Sequence, residues 1–160
     1  MRLQVIQDSR EKVGMFTFQS YDDVDVIRTC LRTGDYSLVG FEDKITLDRK
    51  KGSNELQMCL GKDWTRFKKE LDRMVLFEES YIICEFPEYY IDIFPKMSGI
   101  PPKRWKRLMV RGPFIRKRLH EIREEYPSIK IIFCEDHYAA EQQTYNILKE
   151  YHDNQINSES

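Results

Sequence analysis

GDYSLVGFEDKITLDRK, from Gly34 to Lys50, decides both the fold and the chemistry of this chain. A glycine, an acid and an aromatic make a turn, and an apolar strand then runs into Asp48, Arg49 and Lys50. Strand side chains alternate between faces, so Ile45, Leu47 and Arg49 point one way while Thr46, Asp48 and Lys50 point the other. Ile45 and Leu47 anchor the strand in a core, which leaves Asp48 and Lys50 together on the opposite face. With Asp35 folded back beside Asp48, two hard oxygen ligands converge within reach of an ammonium group. That donor set suits Mg²⁺, with Mn²⁺ as the alternative. A phosphodiester is anionic and repels hydroxide, so its hydrolysis needs a cation to neutralise developing charge and acidify a water. The lysine then orients that water or stabilises the transition state. The same spacing also describes an edge strand whose Asp and Lys only keep a solvent face soluble.

The surrounding motifs favour the first alternative. Upstream, VIQDSREK (Val5 to Lys12) is a short apolar strand ending in Asp8, Arg10 and Glu11; downstream, Ser53 to Leu71 holds two helices. Together these resemble the XPF-type nuclease domain, a branch of the PD-(D/E)xK superfamily. Its marks are a D-x-R-E start, a G-D-Y turn, an E-R-K strand with an acid-Leu pair soon after, and an R-x-x-F-x-x-E-L helix. This chain supplies Asp8, Arg10 and Glu11; Gly34, Asp35 and Tyr36; Asp48, Arg49 and Lys50; Glu55 and Leu56; and Arg66, Phe67, Glu70 and Leu71. The resemblance covers Leu3 to about Phe86 and continues more weakly through Ile129 to Glu141. Asp48 stands where the family carries glutamate. An ungapped count puts the following acid at Asn54, and one inserted residue puts it at Glu55, which keeps the acid-Leu pair. The resemblance implies that Asp35 and Asp48 hold the metal, that Lys50 positions water, and that Asp8, Arg10, Arg49, Glu55 and Arg66 support the site or contact phosphate.

Composition fits such a domain without specifying it. The chain has 160 residues, enough for one domain with a sizeable core, and its 26 basic and 27 acidic residues balance. Cys30, Cys59, Cys84 and Cys134 form no C-x-x-C pair and read as buried reduced thiols rather than a zinc site. No stretch has the length of a membrane span, and the polar start lacks a signal-peptide core. The expected location is the cytoplasm of a bacterial or phage-infected cell, or the nucleus in a eukaryote.

Strand and helix signals alternate. Strands are expected at Leu3 to Gln7, Tyr36 to Val39 and Ile45 to Lys50, with a short extended piece at Met15 to Phe18. Ser20 and Asp23 resemble a capping box for a helix presenting Val24, Ile27 and Leu31 on one face and ended by Gly34. Asp63 to Glu78 carries an apolar helical stripe of Trp64, Phe67, Leu71, Met74 and Val75. Tyr81 to Phe86 and Ile129 to Cys134 are apolar runs typical of buried parallel strands. Helices are expected at Pro113 to Tyr126 and Ala139 to Tyr151. Arg66 and Glu70 either pair in solvent or brace the site. Asp136 reads as a helix cap.

From Ile93 to His120 no acidic residue occurs, while Lys96, Lys103, Arg104, Lys106, Arg107, Arg111, Arg116, Lys117 and Arg118 are all basic. Trp105 and Phe114 are interleaved among them. Such a face attracts a polyanion, so Lys103, Arg104, Trp105, Lys106, Arg107 and Arg111 are candidate DNA contacts; the alternative is a solvated basic face with Trp105 in the core.

The expectation is therefore an α/β domain, a restriction-endonuclease-like mixed sheet flanked by helices over residues 1–152, with 153–160 as a disordered tail. Its compactness resembles small stand-alone phage and bacterial members. The expected activity is Mg²⁺-dependent cleavage of DNA with branches or single-strand/duplex junctions, by a homodimer or heterodimer. A catalytically inactive DNA-binding or partner subunit of the same fold is the alternative, and an RNA-directed nuclease a weaker one.

Overall fold

In the computed structural model, which describes residues 2–159, the chain folds around one six-stranded mixed sheet. The strands are β1 (Leu3–Asp8), β2 (Val24–Thr29), β3 (Tyr36–Leu38), β4 (Ile45–Lys50), β5 (Glu79–Cys84) and β6 (Ile129–Phe133), in the order β2-β1-β3-β4-β5-β6. β3 runs antiparallel to β1 and β4, and the pairs β1–β2, β4–β5 and β5–β6 are parallel. The helices are α1 (Ser53–Leu60), α2 (Trp64–Met74), α3 (Gly112–Glu125) and α4 (His137–Glu159), with 3₁₀ turns at Glu88–Ile91 and Pro102–Arg107.

The alternation of β4 divides the molecule. Ile45 and Leu47 enter one core with Leu3, Val5, Tyr36 and Leu148 of α4. On the opposite face, Leu56, Phe67, Leu71, Ile82 and Leu119 form a second core beneath α1, α2 and α3. β5 is buried on both faces, with Ile83 in the first core and Ile82 in the second, which explains its unbroken apolar run.

Four expectations are corrected. The helix expected from Ser20 to Leu31 is the parallel edge strand β2, paired with β1 from Leu3↔Val24 to Asp8↔Thr29. Val24, Ile27 and Leu31 do fit a helical face, but Val-Asp-Val-Ile-Arg-Thr is rich in β-branched residues, and the open edge of β1 gives its backbone partners. Asp23 caps nothing, because its carboxylate takes the Tyr145 hydroxyl at 2.8 Å and Lys149 at 3.4 Å. Met15 to Phe18 forms no strand, although Phe16 and Phe18 are buried. The apolar stripe ends early, since α2 stops at Met74 and Val75 is exposed. Finally, α4 continues to Glu159, so residues 153–159 are helical rather than disordered; Lys149 and Asp153 pair one turn apart at the start of this extension, and Ser160 lies outside the described residues. The reading of the cysteines as buried thiols holds for Cys84 and Cys134, while Cys59 is half-buried and Cys30, just past the edge strand β2, is exposed. No described helix is long and apolar enough to cross a membrane.

Candidate active site

The Gly34 turn brings Asp35 to β4. Gly34 has φ +77°, and a Cβ there would fall 2.0 Å from Thr46 Oγ1, so this turn lies too close to the strand for any side chain. Glu70 of α2 accepts the Gly34 N–H at 3.3 Å and steadies the turn from outside. The Asp35 N–H donates to Leu47 O at 2.8 Å, and its carbonyl accepts the Asp8 N–H at 2.8 Å. Asp35 Oδ2 accepts the Arg49 main-chain N–H at 2.7 Å. The carboxylate is thereby fixed beside the strand that carries Asp48.

Asp48 and Lys50 share the face toward α1 and α2. Lys50 Nζ lies 2.9 Å from Asp48 Oδ2 and 5.0 Å from the Phe67 ring centre. This ion pair apart, the buried Asp48 Oδ2 has no hydrogen-bond partner. A buried carboxylate oxygen is thus left open to a further partner. Burial works against the Lys50 charge, but the Asp48 carboxylate outweighs it and holds the ammonium well above the ordinary lysine range. Lys50 is accordingly a fixed cation, not a base.

Asp35 is pushed the other way. Burial first, and the charge of Asp48 second, raise its pKa well above the ordinary aspartate value, against the opposing Arg49 N–H. Since the folded chain then binds this proton more tightly than the unfolded chain, Asp35 lends stability at low pH. That stability is lost as pH rises from about 4 through the raised Asp35 value. Denaturant melts of metal-free protein over this range should show the decline, and Asp35→Asn should flatten it. A decline of the same size in Asp35→Asn would assign it to another group.

Asp35 and Asp48 fit a Mg²⁺-type ion. The donors are hard oxygens, one of them buried without a hydrogen bond, and Mg²⁺ needs only one or two carboxylates because it keeps several waters. Among the described residues no group of three or more His, Cys, Asp or Glu is placed to hold a metal ion between them, so the protein donors here are the two carboxylates.

A cleft of about 240 Å³ opens over this pair, with Glu55 on its wall and Arg10, Lys12 and Lys51 also lining it. Burial, opposed by Lys50, raises the Glu55 pKa. Asn54 instead accepts a hydrogen bond from Gln57 at 2.9 Å, so Glu55 is the acid facing the site. A second cleft, about 270 Å³, shares Asp48 and Lys50 with the first and carries Cys59, Asp63 and Arg66. A larger hollow of about 900 Å³ lies away from these carboxylates, between Leu31 after β2 and Leu76 after α2.

Other expected site residues take different places. The Asp8 carboxylate is buried and committed to Arg10 Nε at 2.9 Å and to the Leu31 N–H at 3.0 Å. Arg10 itself is 67% exposed along its side chain on the cleft rim. The Arg49 side chain is 1% exposed and lies on the face opposite Asp48 and Lys50, pairing with Glu11 and Glu85, both at 2.8 Å. It holds the strand from behind the carboxylates, as strand alternation requires, while the residue also lines the cleft and its buried Nη2 has no hydrogen-bond partner. Arg66 and Glu70 do not pair with each other. Arg66, 82% exposed, meets Asp63 at 3.3 Å, while Glu70 holds Arg73 and Gly34.

Sequence reasoning missed Glu85, which binds Arg49 and lies 3.0 Å from His137 Nδ1, and the cleft lysines Lys12 and Lys51. Glu85 directly follows a parallel strand, where functional residues of α/β folds gather, so its position was a usable signal. Asp136 caps α4 as expected, accepting the Ala139 N–H at 2.9 Å.

The basic segment is partly spent on the fold. Arg116 pairs with Asp92 and Glu88, and Arg118 lies 4.2 Å over Trp64 while pairing with Glu121 at 3.1 Å. Trp105, expected at the DNA, packs half-buried against the second core and donates its indole N–H to Ile100 O at 2.9 Å. Arg111 donates to Trp105 O at 3.1 Å. Among the described residues, Lys103, Arg104, Lys106 and Arg107 are exposed and none of their side chains has a hydrogen bond or ion pair in the fold.

Two solved structures share this fold. XPF from Aeropyrum pernix in complex with DNA superposes with a TM-score of 0.67 and 21% identity, covering 95% of this chain and 66% of that one. The chain has the fold of XPF. A second structure, XPF from Aeropyrum pernix, gives a TM-score of 0.65 and 21% identity over 92% of this chain and 64% of its own. The chain thus spans slightly under two thirds of the length of the XPF chains it matches. No family model and no curated protein matches the sequence.

Proposed function

We propose that this chain is a divalent-metal-dependent endonuclease acting on branched or otherwise structured DNA, with Mg²⁺ or Mn²⁺ as the ion. The observation that carries the proposal is Asp35 fixed beside β4 next to Asp48, whose buried Oδ2 is short of a hydrogen bond, with the Lys50 ammonium 2.9 Å away. The XPF fold, one example of which was solved with DNA, supports it. Asp35 and Asp48 would hold the ion, which when bound would neutralise charge developing on the phosphate and acidify a water. Lys50 stabilises the oxygen that gains charge. Glu55 orients the attacking water from the cleft wall. Arg10, Lys12 and Lys51 hold flanking phosphates on the rim, and Arg49 keeps the strand in place from behind.

Lys50→Met retains the apolar stem against Phe67 while removing the charge. Its single-turnover rate should fall by about a hundredfold or more, roughly 3 kcal/mol of barrier. Metal affinity should hold or tighten, because a cation competing for Asp48 is gone. Equal losses in rate and metal affinity would give Lys50 a structural role instead.

The same proposal places DNA on the unpaired lysines and arginines of the second 3₁₀ turn. With metal withheld, log K should fall linearly with log[salt]. Arg104→Ala combined with Arg107→Ala should flatten that slope by about 0.9 for each duplex phosphate no longer neutralised, or about 0.7 on single strands. An unchanged slope would move the DNA to another face.

A further inference from the structure

We infer that Val13 is a wedge that enters the base stack beside the cleft and biases the chain toward DNA whose stacking is already broken. This rests on the DNA reading proposed above and adds the residue that selects the structure of the substrate. Val13 is 92% exposed at the tip of the loop following β1, between Lys12 and Gly14. Single exposed apolar side chains are common on proteins and mean little by themselves. What distinguishes Val13 is the way its backbone is held.

Three bonds tie this loop to β4, which carries Asp48 and Lys50, and to the residue that follows it. The Val13 carbonyl accepts a hydrogen bond from Lys51 Nζ at 3.1 Å, and the Gly14 carbonyl accepts one from Arg49 Nη1 at 2.9 Å. Two residues before Val13, Glu11 takes Arg49 Nε at 2.8 Å. Arg49 is itself buried, so the loop is fastened to the interior and not only to the surface. Between these ties the Met15 N–H closes a turn onto Lys12 O at 3.1 Å, and Gly14 adopts φ +93°, a conformation that L side chains rarely accept. An added Cβ at Gly14 would meet nothing within 4 Å, so this glycine serves the turn and not packing.

The result is a short apolar branch held away from the protein, with its flanking residue Lys12 and its tether Lys51 both lining the cleft. Those lysines and Arg10 attract a phosphate backbone. Proteins that kink DNA insert apolar side chains between base steps, and the unstacking cost is smallest where stacking is already interrupted. A fixed tip loses little freedom on insertion, so the branch can select a nick, fork or flap over continuous duplex.

The test uses full-length chain with metal withheld, bound to forked DNA and to continuous duplex carrying 2-aminopurine at matching positions. The native chain should brighten the probe at the fork and bind the fork in preference to duplex. Val13→Ser should bind with an unchanged salt slope and melting temperature, yet lose the brightening and about tenfold of the preference; Val13→Leu should retain both. If native and Val13→Ser chains bind equally and brighten the probe alike, the wedge is wrong while the DNA reading stands. If neither chain binds either DNA, that reading fails and the wedge with it.

Discussion

Asp48→Asn should lower metal-dependent single-turnover cleavage by about three orders of magnitude or more, roughly 4 kcal/mol of barrier. Asparagine keeps the size of the side chain but removes half of the negative charge proposed to hold the ion, while Asp35 stays fixed by the Arg49 N–H. Metal-free stability is not the discriminating quantity, because the substitution relieves Asp35 of a like charge and also takes the anionic partner from buried Lys50. The response to metal discriminates. The melting temperature of the native chain should climb with added Mg²⁺, as for any ligand that binds only the folded state, and that of Asp48→Asn should stay flat. A variant that cuts at the native rate would remove Asp48 from the site.

Arg49→Ala should be the most destabilising single change near the site, at about 3–5 kcal/mol, because it breaks a buried network and leaves its acids uncompensated. Glu11 would keep only the Tyr36 hydroxyl at 3.1 Å, and Glu85 only His137. The Gly14 carbonyl and the Phe16 ring, 5.4 Å from the guanidinium, would be left without their partner as well. Urea unfolding should register the change as a lower midpoint at similar slope. By contrast Arg104→Ala, at an exposed residue, should stay within about 0.5 kcal/mol of the native value. Equal stability of the two variants would show that the Glu11–Arg49–Glu85 network contributes no net stability.

The legible part of this molecule was local. The alternation of β4 set Ile45 and Leu47 against Asp48 and Lys50, and Gly34 ahead of Asp35 marked the close turn that the structure explains through Thr46 Oγ1. That alternation also placed Arg49 away from the carboxylates, which the family motif obscured by setting the three residues in one row. β2 was misread because Val24, Ile27 and Leu31 satisfy a helical period while Val24 to Thr29 carries strand-forming residues. The choice fell to a partner far along the chain, the free edge of β1. Among the basic residues, charge was readable from residue type but pairing was not. Arg116 and Arg118 are neutralised by Asp92, Glu88 and Glu121, all outside the basic stretch, two of them at the preceding 3₁₀ turn and its end. Trp105 looked like a stacking platform, yet its N–H was already taken by Ile100.

In the proposed function, Asp35, Asp48 and Lys50 form a metal-dependent centre for cutting DNA. The most direct measurement incubates the purified chain with end-labelled forked, flapped, four-way-junction and linear duplex DNA, with Mg²⁺ or with chelator, and resolves the products on a denaturing gel. Cuts are expected near the branch of at least one structured substrate in Mg²⁺, far fewer in linear duplex and none in chelator. Cleavage that persists in chelator, or the absence of any cut with Mg²⁺ or Mn²⁺ by protein that binds these DNAs, would contradict that function.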